Sequence, residues 1–181
     1  KMEKLILRIN RESETTIIMT THDLSQGQKL ADRMIILYNG QILQSGTPDR
    51  IFRKPKNRFV ADFIGIENLM SGQIEDSSDG LVKIKTDFIT VFALSGKKGK
   101  VHFTIRPDEI TVSREKFQTS ARNTIQGKIY KIIDTGSFIK LLVDTGELIT
   151  VFITRESLNE LSLSVGTNIW LYFKASAVHV F

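Results

Sequence analysis

Apolar and polar positions along the first 64 residues alternate with the periods of short helices and strands. Apolar residues recur at helical spacing from Met2 to Ile9, which predicts an amphipathic helix over residues 1–12. This helix lacks an N-terminal capping signal, so we expect the chain to continue before Lys1. Residues 15–20 are β-branched and apolar, a pattern typical of a fully buried strand in a parallel sheet.

A helix and a hairpin are predicted next. Helical spacing returns over residues 24–34. Residues 35–38 and 41–43 then flank Asn39-Gly40, and Asn-Gly between apolar runs is a strong signal for a two-residue hairpin.

Two short helices end this segment. Thr47 can cap the first, and Pro48 suits its first turn. Residues 57–64 are predicted to form the second, with an inward face composed of Phe59, Val60, Phe63 and Ile64. The segment therefore has an α/β character.

The pattern changes near Gly65, where helical spacing gives way to short alternating strands. Turn sequences separate these strands: Asp79-Gly80, Ser95-Gly96, Asp134-Thr135-Gly136 and Asp144-Thr145-Gly146. Short strands with regular turns predict a small β-barrel or sandwich, with a domain boundary near residues 65–68.

The β part repeats itself weakly. The sequence NLMSGQI from Asn68 aligns with NTIQGKI from Asn123, and FTIRPDEITV ending at Val112 resembles YFKASAVHV ending at Val180. Each copy opens with Asn-x-x-x-Gly-x-Ile and places a basic residue before its last strand. A half of roughly 60 residues is marginally stable alone, so we expect the halves, or two chains, to pair.

Composition narrows the class of protein. The 181 residues are 41% apolar and 25% charged, which indicates a soluble globular protein with one or two domains. No segment has the length of a membrane span or the pattern of a signal peptide. The lack of cysteine fits a reducing compartment. A net charge of +5 permits anionic partners without identifying one.

One histidine follows the predicted buried strand. An isolated histidine such as His22 commonly makes a hydrogen bond in a turn. However, α/β folds bind ligands at the C-terminal edge of such strands, where His22 could donate a hydrogen bond to a phosphate oxygen. The residue pattern leaves both interpretations open.

The sequence TIIMTTHDLSQGQKLADRMIILYNGQILQSGTPDRIFRKPKNRFVADFIG ends a segment, residues 1–65, that resembles the C-terminal end of the nucleotide-binding subunit of an ABC importer. The resemblance implies that His22 is the switch histidine, a catalytic residue that contacts the γ-phosphate of ATP in the full-length protein. The phosphate-binding loop, glutamine loop, signature sequence and acidic Mg²⁺ ligand are absent from the chain. We therefore expect a fragment that is no enzyme and holds no cofactor, from a parent that hydrolyses ATP with Mg²⁺.

Two polar segments of the second repeat, residues 119–123 and 174–176, carry hydrogen-bond donors. Ordinary turn chemistry is one interpretation. The other is a site for a tetrahedral dianion such as molybdate, tungstate or sulfate, which needs hydroxyl, N–H and cationic donors. Neither segment contains a carboxylate, and the candidate donors are Ser120, Arg122, Lys174 and Ser176.

Residues 119–181 resemble a Mop-type molybdate- or tungstate-binding domain, and residues 66–118 resemble a transport-associated (TOBE) OB-like segment. The resemblance implies an oxyanion pocket formed by Ser120, Ala121, Arg122, Lys174, Ala175 and Ser176. In the first copy, IGIEN replaces Ser-Ala-Arg-Asn, and Arg106-Pro107-Asp108 replaces Lys-Ala-Ser. Because Asp108 would repel an anion, we expect a site shared by two second copies across a homodimer.

The expected architecture is thus an α/β fragment of an ABC nucleotide-binding domain (residues 1–65), followed by an all-β OB-like regulatory domain in two repeats (66–118 and 119–181). Its expected role is to bind molybdate or tungstate, which the sequence does not distinguish, and to regulate transport. The expected partners are a second copy and the membrane subunits of the transporter. The resemblance places the protein in the cytoplasm, peripherally on the inner face of the membrane.

Two other functions remain open. The β domain could serve only dimerisation or docking in an importer for another solute. A nucleic-acid-binding barrel is disfavoured because Phe138, Phe152 and Tyr172 are too sparse for a base-stacking surface. His102 and His179 alternate with apolar residues and should point away from the core, so no role or metal site is assigned to them.

Overall fold

A computed structural model describes residues 2–181 of the chain. Lys1, the first residue of the predicted N-terminal helix, lies outside the described residues. The contacts between residues divide the chain into two compact units, which meet in the sequence after Lys56. The short helix that follows Asn57 is thereby grouped with the β-rich unit.

The described residues of the first unit form three helices and one hairpin: α1 (Met2–Ser13), α2 (Leu24–Leu30), β1 (Met34–Tyr38), β2 (Gln41–Gly46) and α3 (Pro48–Arg53). The Asp23 side chain caps α2 by accepting from the Gln26 N–H, and Thr47 caps α3. Asn39 and Gly40 form the hairpin turn with positive φ angles of 47° and 75°, as this turn type requires. The predicted hairpin and the predicted helix after Thr47 are both confirmed.

The predicted buried strand over residues 15–20 is wrong. This segment is irregular and exposed, and the Ile18 side chain is 91% accessible. A β-branched run becomes a strand only where a neighbour satisfies its backbone groups. Within the described residues of the first unit, β1 and β2 pair with each other and no strand pairs with residues 15–20. His22 therefore lies in an exposed bend rather than at the edge of a sheet.

The predicted helix over residues 24–34 is too long. Helix α2 ends at Leu30, and the extended backbone of Ala31 follows it. Met34 belongs to β1, where it lies opposite Gly46. Pairing with β2 satisfies the backbone of this apolar run and overrides its weak helical spacing.

The second unit starts with helix α4 (Arg58–Phe63), which is capped by the Asn57 side chain. Val60 and Ile64 are buried as predicted, whereas Phe59 and Phe63 are 40% and 48% exposed. Their inward orientation was predicted wrongly, because a helix of under two turns buries only one narrow face. The two phenylalanine rings instead stack on each other, with centroids 6.4 Å apart.

Ten strands follow α4 and form two antiparallel sheets. The first half contributes β3 (Asn68–Ser78), β4 (Leu81–Lys85), β5 (Thr90–Leu94), β6 (Lys100–Ile105) and β7 (Thr111–Ser113). The second half contributes β8 (Asn123–Asp134), β9 (Ile139–Asp144), β10 (Leu148–Ile153), helix α5 (Arg155–Glu160), β11 (Asn168–Phe173) and β12 (Val178–Val180). The strand orders are β12-β6-β3-β4-β5 and β10-β9-β8-β11-β7.

Each half gives its last strand to the sheet of the other half. Strand β7 pairs with β11, where Val112 lies opposite Leu171. Strand β12 pairs with β6, where His179 lies opposite Thr104. Both sheets supply fully buried side chains to one core, among them Phe103 and Leu141. Each half therefore completes the other.

Two buried asparagines join the sheets by matching hydrogen bonds. The Asn68 amide donates to the Thr150 carbonyl at 2.8 Å and accepts from the Thr150 N–H at 2.7 Å. The Asn123 amide makes the same pair of bonds to Phe92, at 2.9 and 2.7 Å. Both asparagines are 2% exposed. Each satisfies an N–H and a carbonyl on a strand of the opposite sheet.

The glycine of each Asn-x-x-x-Gly motif lies where strands pack too closely for a side chain. A Cβ atom on Gly72 would lie 2.6 Å from Ile84 Cγ2, and one on Gly127 would lie 2.6 Å from Val143 Cγ1. The ladder is also irregular at the same distance after each asparagine, at Glu75 and at Tyr130. The two motifs thus impose the same local structure on β3 and β8.

We predict that Asn123→Leu lowers the free energy of unfolding by about 2–4 kcal/mol, because it leaves two backbone groups of Phe92 without partners. Urea unfolding followed by circular dichroism measures the change. Asn168→Leu, at an exposed position, is the matched control and should change stability by less than about 0.5 kcal/mol. Equal stabilities of the two variants would contradict the role assigned to Asn123.

Candidate functional site

A cleft of about 480 Å³ in the second unit brings together the two polar segments of the second repeat. It is lined by Glu109, Thr111, Phe117, Thr119, Ser120, Ala121, Tyr172, Phe173, Lys174, Ser176 and Ala177. Strand pairing explains this meeting. Asn123 lies opposite Phe173 on antiparallel strands, so the residues before Asn123 are neighbours of those that follow Phe173.

Four of the six predicted oxyanion residues line this cleft, namely Ser120, Ala121, Lys174 and Ser176. Arg122 is exposed and does not line it. Ala175 is 8% exposed and starts a short 3₁₀ helix over Ala175–Ala177, whose other two residues do line the cleft. The cleft thus contains parts of both predicted segments, and four of the six predicted residues line it.

One wall of the cleft belongs to the connection between β7 and β8, residues 114–122, which we call the strap. Tyr172 holds the strap on β11: its hydroxyl accepts a 3.0 Å hydrogen bond from the Phe117 N–H, and the two rings pack with centroids 4.4 Å apart. The Lys116 Nζ atom lies 5.1 Å from the centre of the Trp170 ring, a cation–π contact. Thr119, Ser120 and Ala121 are thereby positioned against Lys174.

In the part of the chain that the structure describes, the two cations of the predicted site have no acidic partner. Among the described residues, no carboxylate oxygen lies within 4.0 Å of the Arg122 guanidinium or the Lys174 ammonium. Both side chains are exposed. They can therefore bind an external anion without first giving up an internal ion pair.

Glu109 is a cleft residue that sequence reasoning missed. It belongs to a 3₁₀ helix, Pro107–Glu109, in the first half of the unit. The exchange of β7 places this turn beside the second-half segments, 65 residues away in sequence from Lys174. No local spacing pattern in the sequence predicts that Glu109 lies beside these segments.

The first-half counterpart of the site differs in its charges. Arg106 occupies the position of Lys174, and its guanidinium donates to both oxygens of Asp108 at 2.9 and 2.7 Å. Glu67 occupies the position of Arg122 and forms a 2.8 Å ion pair with Lys140. Cations and carboxylates neutralise each other here.

The remaining histidines have structural contacts. The His102 Nδ1 atom is 2.8 Å from the Ser71 hydroxyl, and both His102 and His179 pack against the Phe181 ring. In the part of the chain that the structure describes, no group of three or more His, Asp or Glu side chains could hold a metal ion. No described helix has the length and apolar character needed to cross a membrane.

Comparison with known proteins identifies relatives of both parts. Residues 119–180 match the TOBE domain. The whole chain is 36% identical to the molybdate/tungstate import ATP-binding protein WtpC of Pyrococcus horikoshii, and covers 51% of that protein. It is 30% identical, over 94% of its length, to WtpC of Pyrococcus abyssi, and covers 48% of it.

A spermidine/putrescine import ATP-binding protein, PotA of Protochlamydia amoebophila, is 33% identical over 80% of the chain, which covers 42% of PotA. The chain thus spans about half the length of these relatives, or less.

The fold of the β part also has a solved relative. A crystal structure of the cytoplasmic molybdate-binding protein ModG, with molybdate bound, superposes with a TM-score of 0.56 and 20% identity. It covers 64% of this chain and 96% of ModG. At this identity the likeness concerns the fold alone, and it supports the predicted OB-like, Mop-type β architecture. The expected resemblance is therefore confirmed: the chain is similar over its whole length to the ATP-binding subunits of molybdate/tungstate importers, and residues 119–180 match the TOBE domain.

Proposed function

We propose that this chain is the regulatory C-terminal portion of an ABC importer ATPase, and that its β unit binds an oxyanion of the molybdate or tungstate type. The cleft beside Lys174 carries the proposal. It combines an ammonium group that has no acidic partner among the described residues with the hydroxyls of Thr119, Ser120 and Ser176. Such donors suit a fully deprotonated tetrahedral anion, which only accepts hydrogen bonds.

The same proposal assigns the first unit to the end of a nucleotide-binding domain. In the parent protein His22 contacts the γ-phosphate of ATP, while Mg²⁺ and the phosphate-binding loop come from sequence outside this chain. The resemblance over residues 1–65 and the similarity to WtpC over the whole chain support this assignment. The parent would act in the cytoplasm, at the inner face of the membrane, together with membrane subunits of the transporter.

Feedback on transport follows if anion binding is thermodynamically linked to the arrangement of the nucleotide-binding domains. A bound anion can inhibit only if it binds the arrangement with separated nucleotide-binding domains more tightly than the closed arrangement. An imported anion that reaches the cleft would then slow its own uptake. This role requires reversible binding, which agrees with a cleft built on exposed side chains.

Dimerisation or docking without a ligand is the alternative, and the similarity to PotA favours it. Titration with molybdate separates the two functions.

A nucleic-acid-binding role finds less support. Tyr172 is 2% exposed and holds the strap, and the half-buried Phe138 and Phe152 pack on each other with centroids 4.2 Å apart.

We predict that Lys174→Ala weakens molybdate binding by roughly ten- to a hundredfold, because it removes a charge-assisted donor worth about 1.5–3 kcal/mol. Ser176→Ala should cost about 0.5–1.5 kcal/mol, as expected for a neutral hydrogen bond. Isothermal titration calorimetry measures both.

Arg106→Ala is the control for this titration, because Arg106 has the counterpart position but is paired with Asp108. Its affinity should stay close to that of the parent chain. A larger loss from Arg106→Ala than from Lys174→Ala would mean that the anion binds in the first half.

A homodimer in which two chains complete each site makes a further prediction. Arg122 does not line the cleft of its own chain, so we expect it to reach the site of a partner. Arg122→Ala and Lys174→Ala should each bind molybdate weakly. Mixing the two variants should restore tight binding at half the sites of the mixed dimers, since one of their two sites retains both cations.

Sedimentation of the parent chain at tens of micromolar, a range typical of specific association, should detect the dimer. A monomer at that concentration, or a mixture that binds no better than its components, would contradict a shared site.

We predict no ATP hydrolysis by this chain, because phosphoryl transfer needs the phosphate-binding loop and a metal site. In the full-length parent, His22→Ala should lower the turnover number by a hundredfold or more, the usual effect of losing a contact to the reacting group. A coupled phosphate-release assay measures both. Activity in the purified chain that disappears in its own His22→Ala variant would contradict the assignment.

A further inference from the structure

The strap, which joins β7 to β8, has to run along β11. Ser113 at the end of β7 lies opposite Trp170, and Asn123 at the start of β8 lies opposite Phe173. Both strands are antiparallel to β11, so the chain leaves β7 at one end of this stretch and enters β8 at the other. Residues 114–122 therefore return along β11 from the level of Trp170 to the level of Phe173.

Two aromatic residues of β11 hold the strap. Trp170 contacts Lys116, and Tyr172 contacts Phe117 by ring packing and by the 3.0 Å hydrogen bond from the Phe117 N–H. Lys174 follows on the same face of the extended chain, and it lines the cleft. The hydrogen bond to the Tyr172 hydroxyl is the directional contact among these, and the Tyr172 side chain is 2% exposed. One buried group thus fixes the strap immediately before the cleft.

The first half lacks an equivalent hydrogen bond. Thr104 occupies the position of Tyr172 there, one residue before the end of its strand. Thr104 is also 2% exposed, but its hydroxyl has no hydrogen-bond partner among the described residues. Helix α4 and residues 64–67 precede the Asn-x-x-x-Gly motif of this half, in the place of a strap. The fold therefore does not require a hydroxyl bond at this position, and the bond made by Tyr172 belongs to the half that carries the two polar segments.

The strap brings the hydroxyl groups of Thr119 and Ser120 to the cleft. The Thr119 oxygen accepts from the Ala121 N–H at 3.3 Å, so its own O–H remains available to a ligand. The hydroxyl of Ser176 comes instead from the 3₁₀ turn after β11. The cleft thus offers its full set of donors only while the strap lies on β11.

We propose that Tyr172 is a positioning residue for the oxyanion: its hydroxyl sets the fraction of molecules in which the strap lies on β11 before the anion binds. This inference rests on the proposed oxyanion function. Affinity falls with that fraction, because an incomplete cleft binds the anion less tightly. The bound anion in turn stabilises the strap on β11 by the same factor. Occupancy of the cleft is thereby linked to the order of the connection between the two halves.

Tyr172→Phe tests the proposal because it removes the hydroxyl and keeps the ring. A neutral hydrogen bond changes an equilibrium constant by roughly two- to twelvefold, and part of this change passes into the affinity. We expect molybdate to bind about two- to fivefold more weakly in isothermal titration calorimetry. Trp170 is the only tryptophan of the chain, so its quenching by acrylamide reports the position of the strap. Without anion, quenching should be stronger in Tyr172→Phe than in the parent, and molybdate should reduce it.

Tyr130→Phe is the matched control. It makes the same change at a residue that is 63% exposed on β8 and does not line the cleft, and it should alter neither quantity. Lys116→Gln is a second test variant, since neither Lys116 nor Trp170 lines the cleft. It should raise the quenching and weaken binding together, whereas Lys98→Gln, with the same loss of charge in an exposed loop, should do neither. Circular dichroism melting curves establish that each variant is folded.

Double-mutant cycles show whether the effect passes through the strap. In a Ser176→Ala background the strap hydroxyls remain, so Tyr172→Phe should lower the affinity by the same factor as in the parent. In a background with both Thr119→Ala and Ser120→Ala the strap has fewer donors to position. Tyr172→Phe should then lower the affinity by less than about 1.5-fold.

Equal losses in the two backgrounds, or weaker binding without stronger quenching of Trp170, would mean that the Tyr172 hydroxyl does not act through the strap. Stronger quenching with unchanged affinity would mean that the position of the strap does not govern binding. Each of these results would overturn the proposal and leave the oxyanion function standing. No binding of molybdate to the parent chain at millimolar concentration would reject the oxyanion function and the role of Tyr172 together.

Discussion

The reciprocal hydrogen bonds of Asn68 and Asn123 are the interaction on which the β unit depends. Each amide offers one donor and one acceptor, and this matches the one N–H and one carbonyl that a strand residue of the other sheet presents. In a buried environment such groups cost free energy unless they are paired. A register that moved either asparagine by one residue would leave four polar groups unsatisfied. The two contacts thereby fix how the sheets face each other.

The position of the cleft follows from this arrangement. Asn123 is both the contact to the opposite sheet and the first residue of β8, so the strap that precedes it ends at a defined place. Phe173 opposite Asn123 then sets where β11 ends and where Lys174 begins the next turn. The polar residues of the cleft are exposed and make few contacts of their own, but they are attached to rigid strand ends. A scaffold of this kind holds donors in place without burying them.

Much of this arrangement could be predicted from the sequence. The parts that could not be predicted share one cause. The hairpin at Asn39-Gly40, the capped helix after Thr47 and the turns of the β part depend on residues close together in the chain. The failures at residues 15–20 and 31–34 occurred where pairing, rather than intrinsic preference, decides the backbone conformation. The meeting of Ser120 with Lys174 was available only through the family resemblance. Glu109 reaches the cleft through the exchange of β7, which no periodicity encodes.

The exchange of β7 and β12 also constrains how the unit folds. Strand β6 remains an edge until β12 reaches it, and Ile105 pairs with Val178 across more than seventy intervening residues. Contacts of such long sequence separation slow folding, because the entropy of closing the loop is lost before the contact forms. Neither half can therefore complete its fold on its own as the chain leaves the ribosome. An unpaired β6 edge would persist until most of the second half has been synthesised, and such edges attract other strands. Correct assembly of this unit thus becomes a late event, one that favours chaperone protection of the nascent chain.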